Sequence, residues 1–328
     1  MDLPFHTLDV FTTDTFGGNP LGVFPDATHL PTTSMQRIAR EMNLSETVFL
    51  GPPETEGGSM RVRIFTPGSE LPFAGHPTVG AAIFAVLSGY PALREGWMDE
   101  RPAPGAASLV LEENVGPVPV DVRVAEDGSA FATLSTAILS EHRASPLDRD
   151  ALAAVVGLEP GDLDCESDFP GMRPEMVSCG TPFFVIPVRR LEAIRRAALD
   201  TAAWKRDVAL LWASKVYLVC PEAEGAGVDF HVRMFAPGLG VPEDPATGSA
   251  AACLGGYLAA VDGRSEGTIS WLVEQGLEMG RPSLLHVEAD RARGATTAIR
   301  VGGSAVVVSR GVMRIPTAQD SPEGRSTR

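Results

Sequence analysis

The segment Val62 to Ala82, VRIFTPGSELPFAGHPTVGAA, returns 170 positions later as Val232 to Ala252, VRMFAPGLGVPEDPATGSAAA. Val62/Val232, Arg63/Arg233, Phe65/Phe235, Pro67/Pro237, Gly68/Gly238 and Pro72/Pro242 match at one offset. After a two-residue slip, Pro77/Pro245, Gly80/Gly248 and Ala82/Ala250 match as well. Two copies cannot bury a continuous core by stacking, which takes at least three repeats. The duplication therefore predicts two similar domains facing each other. The differences between the copies then carry information: before the shared proline, one has His76 and the other Asp244.

Each copy has the chemistry of a strand, a turn and a helix start. The runs 61–65 and 230–235 are β-prone and bounded by Pro and Gly. Pro77 and Pro245 are expected at the first helical position, with Asp244 as a good N-cap and His76 as a weaker one. The residues that follow, 80–87 and 248–254, carry almost no charge, and a helix apolar all round must be buried. If both helix starts open into one cleft, their free N–H groups and dipoles converge on an anion such as a substrate carboxylate. Taken singly, an Asp-Pro or His-Pro before an apolar run is ordinary capping. Two such starts at matching positions, one bearing an imidazole and one a carboxylate, single themselves out.

At 328 residues, with 44% hydrophobic and 21% charged residues, the chain is long and apolar enough for two globular domains. Its net charge of -15 argues against nucleic acid and anionic membranes, which select basic patches. Cys165, Cys179, Cys220 and Cys253 show no metal-ligand spacing and read as free thiols. The N-terminus lacks a basic, then apolar, leader, and the apolar run 79–87 is too short to span a bilayer, so a cytoplasmic location is expected.

Further strands are expected at 7–11, 47–50, 131–134, 182–188 and 216–219, and helices at 33–42, 148–156 and 246–260. The segment 89–107 reads as an exposed loop. The expected division is a first domain over 1–115, joined by a returning strand at about 301–315, a second domain over 116–300, and a disordered polar tail over 316–328. The strand 131–134 then falls in the second domain.

Several segments, in order, carry a resemblance: Gly18-Asn19-Pro20, Ala39 through Thr47 (AREMNLSET), Phe65-Thr66-Pro67, Glu70 through Thr78 (ELPFAGHPT), Glu243 through Ala250 (EDPATGSA) and Gln275 through Ser283 (QGLEMGRPS). They resemble the PhzF family of phenazine-biosynthesis-like isomerases from about Thr7 to Ile315. The resemblance implies the α+β, diaminopimelate-epimerase-like fold: two similar domains, each a curved, mostly antiparallel sheet wrapped around a central helix, with the active site between them.

It also assigns residues. The family's catalytic glutamate falls on Glu46, its histidine on His76 and its aspartate on Asp244. Gly75 stands where a backbone N–H meets the substrate, Ser249 where the family has a serine, and Asn19, Thr247 and Gly248 are expected to bind substrate. The implied reaction is a proton and double-bond shift on a small conjugated carboxylic acid, without cofactor or metal, in a homodimer. Glu70 is a candidate to hold a neighbouring group by hydrogen bond, whereas His6, His29, His231 and His286 match no site motif. Two other readings remain at this stage. One is an epimerase or racemase of the same fold, which in its usual form uses two cysteines at the helix starts. The other is a catalytically idle binding protein, with 89–107 or the tail as a partner surface.

Overall fold

A computed structural model describes residues 1–91, 98 and 102–315. The expected tail over 316–328 lies outside the described residues, as does most of the expected loop; 105–107 already belong to a strand.

Two helices organise the chain, Gly75–Ser88 and Gly248–Asp262. In the first, every residue from Gly75 to Ala85 is buried; in the second, Gly248 and all of Ala250 to Ala259 are buried. Neither has a polar stripe, so each needs sheet on all sides. Each stops at a glycine in the left-handed region, Gly89 (φ 73°) and Gly263 (φ 76°), a conformation that costs glycine little.

The helix starts differ from the sequence expectation. The helices begin at Gly75 and Gly248, so Pro77 is the third helical residue and Pro245 lies three residues before its helix. A proline anywhere in the first turn loses no intrahelical bond, because those N–H groups have no partner there. Asp244 cannot cap, since it ends the strand Val241–Asp244, where it lies opposite Met234. The N-caps are Ala74 and Thr247, and neither makes a side-chain capping bond. The structural match at the helix starts is thus Gly75 with Gly248, in place of Gly80 with Gly248.

Around these helices all the strands join one hydrogen-bonded network, mostly antiparallel. Each half contains two parallel pairings: Asn19–Phe24 with Glu46–Gly51 and Met60–Phe65 with Gly105–Glu113 in the first, Pro182–Pro187 with Lys215–Cys220 and Phe230–Ala236 with Gly267–Gln275 in the second. The helix Thr32–Met42 forms the crossover of the first of these pairings, and the helices Leu191–Arg196 and Thr201–Asp207 form that of the third. The strand Ala295–Arg314 stitches the halves together. Its first part pairs with Ser283–Ala292, its middle with Ala130–Ser135 and its end with Asp2–Val10.

The hairpin Gly105–Glu113/Gly116–Val124 turns at the expected boundary near 115, yet Gly116–Val124 and Ala130–Ser135 pack against the first central helix. We accordingly place the division after Ser135. No described helix is long and apolar enough to cross a membrane. The four cysteines are free thiols, Cys179 being the one not fully buried.

Candidate active site

The two central helices meet head to head. A Cβ added at Gly75 would stand 2.8 Å from Cα of Gly248, and one added at Gly248 would stand 3.1 Å from Cα of Gly75. Only glycine permits this approach. Beside the contact lies a cavity of about 170 Å³ lined by Glu46, Gly75, His76, Asp244, Thr247, Gly248 and Ser249, among others. Apolar side chains, Phe73, Phe183, Met234 and Leu239 among them, complete much of the lining.

Glu46 reaches this cavity because it opens the strand Glu46–Gly51, just after the helix Thr32–Met42 ends at left-handed Asn43 (φ 50°). His76 is the second residue of its helix. Its Nε2 lies 3.4 Å from Oε2 of Glu46, and neither atom hydrogen-bonds to another described residue. Burial holds His76 down to about 3, so the imidazole is neutral at physiological pH. Burial and then the nearby charge of Asp244 push the Glu46 carboxyl well above the usual carboxylate range.

Asp244 is held from several sides. The Asn19 amide donates to its Oδ1 at 2.9 Å, the Thr247 hydroxyl donates to its Oδ2, and Gln275 Nε2 donates to its backbone carbonyl at 2.7 Å. Burial raises its carboxyl to about 6, against the pull of hydrogen bonds from Thr247, Asn19 and Ser45. Two buried carboxyls that sense each other give up the first proton more readily than the second.

The structure brings Glu46, His76, Asp244, Gly75, Thr247, Gly248 and Ser249 to one cavity. Asn19 is not among the residues facing that space. It is buried, and its amide donates to Asp244 and to the Ala246 carbonyl, the latter at 2.9 Å, so it supports Asp244. Glu70 is occupied by Arg63, in a two-pronged pair at 2.8 and 2.7 Å, and Arg233 repeats this pair with Glu243 at 2.8 and 2.9 Å. His231, unremarked by any motif, is fully buried between Glu274 (2.8 Å) and Glu278 (2.9 Å). Gln275, Ser45 and Lys215 were not singled out from the sequence. The first two lie in matched motifs, and Lys215 becomes visible only when the duplication is extended upstream, Ser45-Glu46 against Ser214-Lys215. Among the described residues, no group of three or more His, Cys, Asp or Glu is arranged to hold a metal ion.

Comparison with known proteins bears on the family and the fold. The phenazine biosynthesis-like protein family matches residues 8–311. An uncharacterized isomerase of Mesorhizobium japonicum is 43% identical over 311 residues, covering 94% of this chain and 97% of that protein. A trans-2,3-dihydro-3-hydroxyanthranilate isomerase of Pseudomonas fluorescens is 34% identical, covering 93% and 97%. Among solved structures, a PhzF-family phenazine biosynthesis protein of Bacillus anthracis superimposes with a TM-score of 0.83 at 27% identity, covering 96% of this chain and 100% of that one.

Proposed function

Since the chain belongs to the phenazine biosynthesis-like family of isomerases, with its epimerase-like fold, we propose that Glu46, His76 and Asp244 relocate a proton on a small conjugated carboxylic acid. The ionised Glu46 removes a proton from an activated carbon, the electron pair shifts along the conjugated system, and the Glu46 carboxylic acid returns the proton to a distal carbon. One C–H bond breaks, another forms and the double bond moves, with no net redox change. A raised carboxyl pKa suits this work, because a base is most effective when its pKa approaches the working pH.

Neutral His76, 3.4 Å from Glu46, orients that carboxyl or carries the proton across to a second position. Asp244, held by Thr247 and Asn19, faces a substrate amine or hydroxyl. The free N–H groups at the starts of the two central helices receive the substrate carboxylate. General acid–base assistance supplies roughly two to four orders of magnitude, so the substrate must bring its own activated C–H. An epimerase working through two cysteines is disfavoured: the helix N-caps are Ala74 and Thr247, and Cys253 lies inside its helix.

The single observation that carries this reading is a Glu46 oxygen without a hydrogen-bond partner, opposite His76 in a cavity bounded by two helix starts. The test is NMR detection of deuterium uptake from D2O into a panel of conjugated amino and hydroxy acids that includes trans-2,3-dihydro-3-hydroxyanthranilate. Exchange that survives Glu46→Gln would sink the assignment. A homodimer, implied by the resemblance, is checked by light scattering.

A further inference from the structure

Glu46 opens the strand Glu46–Gly51, and Lys215 opens the strand Lys215–Cys220. The two strands are counterparts in the duplication. Each pairs in parallel with an earlier strand, with Leu21 opposite Glu46 and Phe183 opposite Lys215. Each then pairs antiparallel with one of the two matched copies, with Thr47 opposite Phe65 and Val216 opposite Phe235. Phe65 and Phe235 correspond, so Thr47 corresponds to Val216 and Glu46 to Lys215. The sequence agrees, SETVFL at 45–50 against SKVYLV at 214–219. The second half thus sets an ammonium where the first half sets the carboxyl, and both line the same cavity.

Lys215 is the one lysine or arginine among the described residues lining that cavity. Its ammonium lies 5.3 Å from the centre of the Phe183 ring, a contact that favours a cation without neutralising it. Burial lowers its pKa, with the Cys253 thiol the one group acting in the other direction and no carboxylate contributing. An ammonium withdrawn from water without a counter-ion is unfavourable, and an anion arriving with a ligand removes the penalty. The two helix starts, which line the same cavity, already offer N–H groups to a first carboxylate.

We propose that Lys215 receives a second acidic group of the substrate, so that the conjugated acid handled here is a diacid. This rests on the reading of the cavity as the substrate site and names the substrate class within it.

The test is calorimetric titration of wild type, Lys215→Met and Lys215→Arg with matched pairs: trans,trans-muconate against sorbate, and isophthalate against benzoate. The members of each pair share a planar conjugated frame and differ by one carboxylate. At least one diacid is expected to bind wild type about tenfold or more tightly than its monoacid, as suits a desolvated charge pair. Lys215→Met is expected to lose that preference while monoacid affinity and melting temperature stay unchanged, and Lys215→Arg to keep part of it. The proposal is overturned if neither diacid is preferred. It is also overturned if Lys215→Met weakens diacid and monoacid equally, since Lys215 would then meet the sole carboxylate or support the fold. Loss of deuterium exchange in Lys215→Met with all affinities unchanged overturns it too, in favour of an acid–base role. Failure of the proton-shift reading is distinct: a diacid preference that persists with no exchange in any substrate removes the chemistry assigned to Glu46 and supports the role of Lys215.

Discussion

Gly75→Ala puts the meeting of the two helix starts under direct test. The new Cβ would stand 2.8 Å from Cα of Gly248 and 2.9 Å from both the carbonyl carbon of Gly248 and the amide nitrogen of Ser249. All three are backbone atoms of a buried helix, so no side chain can swing aside. Relaxed carbon contacts need roughly 3.5 Å, which means that the helix starts must part by about 0.7 Å. Overpacking of this kind costs about 1–3 kcal/mol, or a fall in Tm of about 2–5 °C for a chain of this length. The displacement falls on the N–H groups of Gly75, Gly248 and Ser249 and on the His76–Glu46 pair. Misplacement on that scale costs on the order of a hundredfold in turnover. The assay is deuterium exchange well below Tm, alongside calorimetric melting. The control is Val287→Ala, which hollows the core where Val287 lies under Gly255, away from the cavity, and is expected to lose stability and keep turnover. Wild-type turnover in Gly75→Ala, or an equal loss in both variants, would refute the reasoning.

Glu46→Gln keeps the shape and deletes the ionisable group; a loss of at least about a hundredfold in kcat with an unchanged Tm is expected, and more than a tenth of wild-type turnover contradicts it. In a pH profile of wild type, kcat/KM is expected to rise through an apparent pKa well above the ordinary glutamate range, because burial and Asp244 disfavour ionised Glu46. Asp244→Asn removes that charge, so the residual activity is expected to rise at lower pH; an unmoved limb assigns it to another group. Glu113 offers a test in stability. The Thr78 hydroxyl has one proton, yet it lies 2.7 Å from Ala74 O and 2.5 Å from Glu113 Oε1, so a protonated Glu113 supplies the second hydrogen bond. Burial raises Glu113 from 4.5 to about 8. A carboxyl raised on folding binds its proton more tightly in the native state, so its contribution is complete below the unfolded value and is lost as pH rises towards about 8. Glu113→Gln is expected to fold and to flatten Tm against pH over that window, and an unchanged slope counts against a protonated Glu113.

What the sequence made legible follows from how local each signal is. The apolar runs after Pro77 and Pro245 identify two buried helices because absence of charge on every face is a property of the segment itself. Their starting residues were misjudged because a proline suits any place in the first turn, whereas the actual start is set by Gly75 meeting Gly248, a contact between residues 173 positions apart. The strand Ala295–Arg314 was legible only at its alternating end. Its first residues are ordered by pairing with Ser283–Ala292, and pairing between distant segments leaves little trace in composition. Glu46, His76 and Asp244 stood out because they sit in long motifs. Lys215 did not, because its neighbours resemble any β-strand, and only the registers Thr47 to Phe65 and Val216 to Phe235 reveal it as the counterpart of Glu46. The duplication thus bears most directly on function where its halves diverge. One fold element, used twice, presents a carboxyl and an ammonium to the same cavity, so that a diacid can hold an activated C–H near Glu46 while one of its carboxylates meets Lys215.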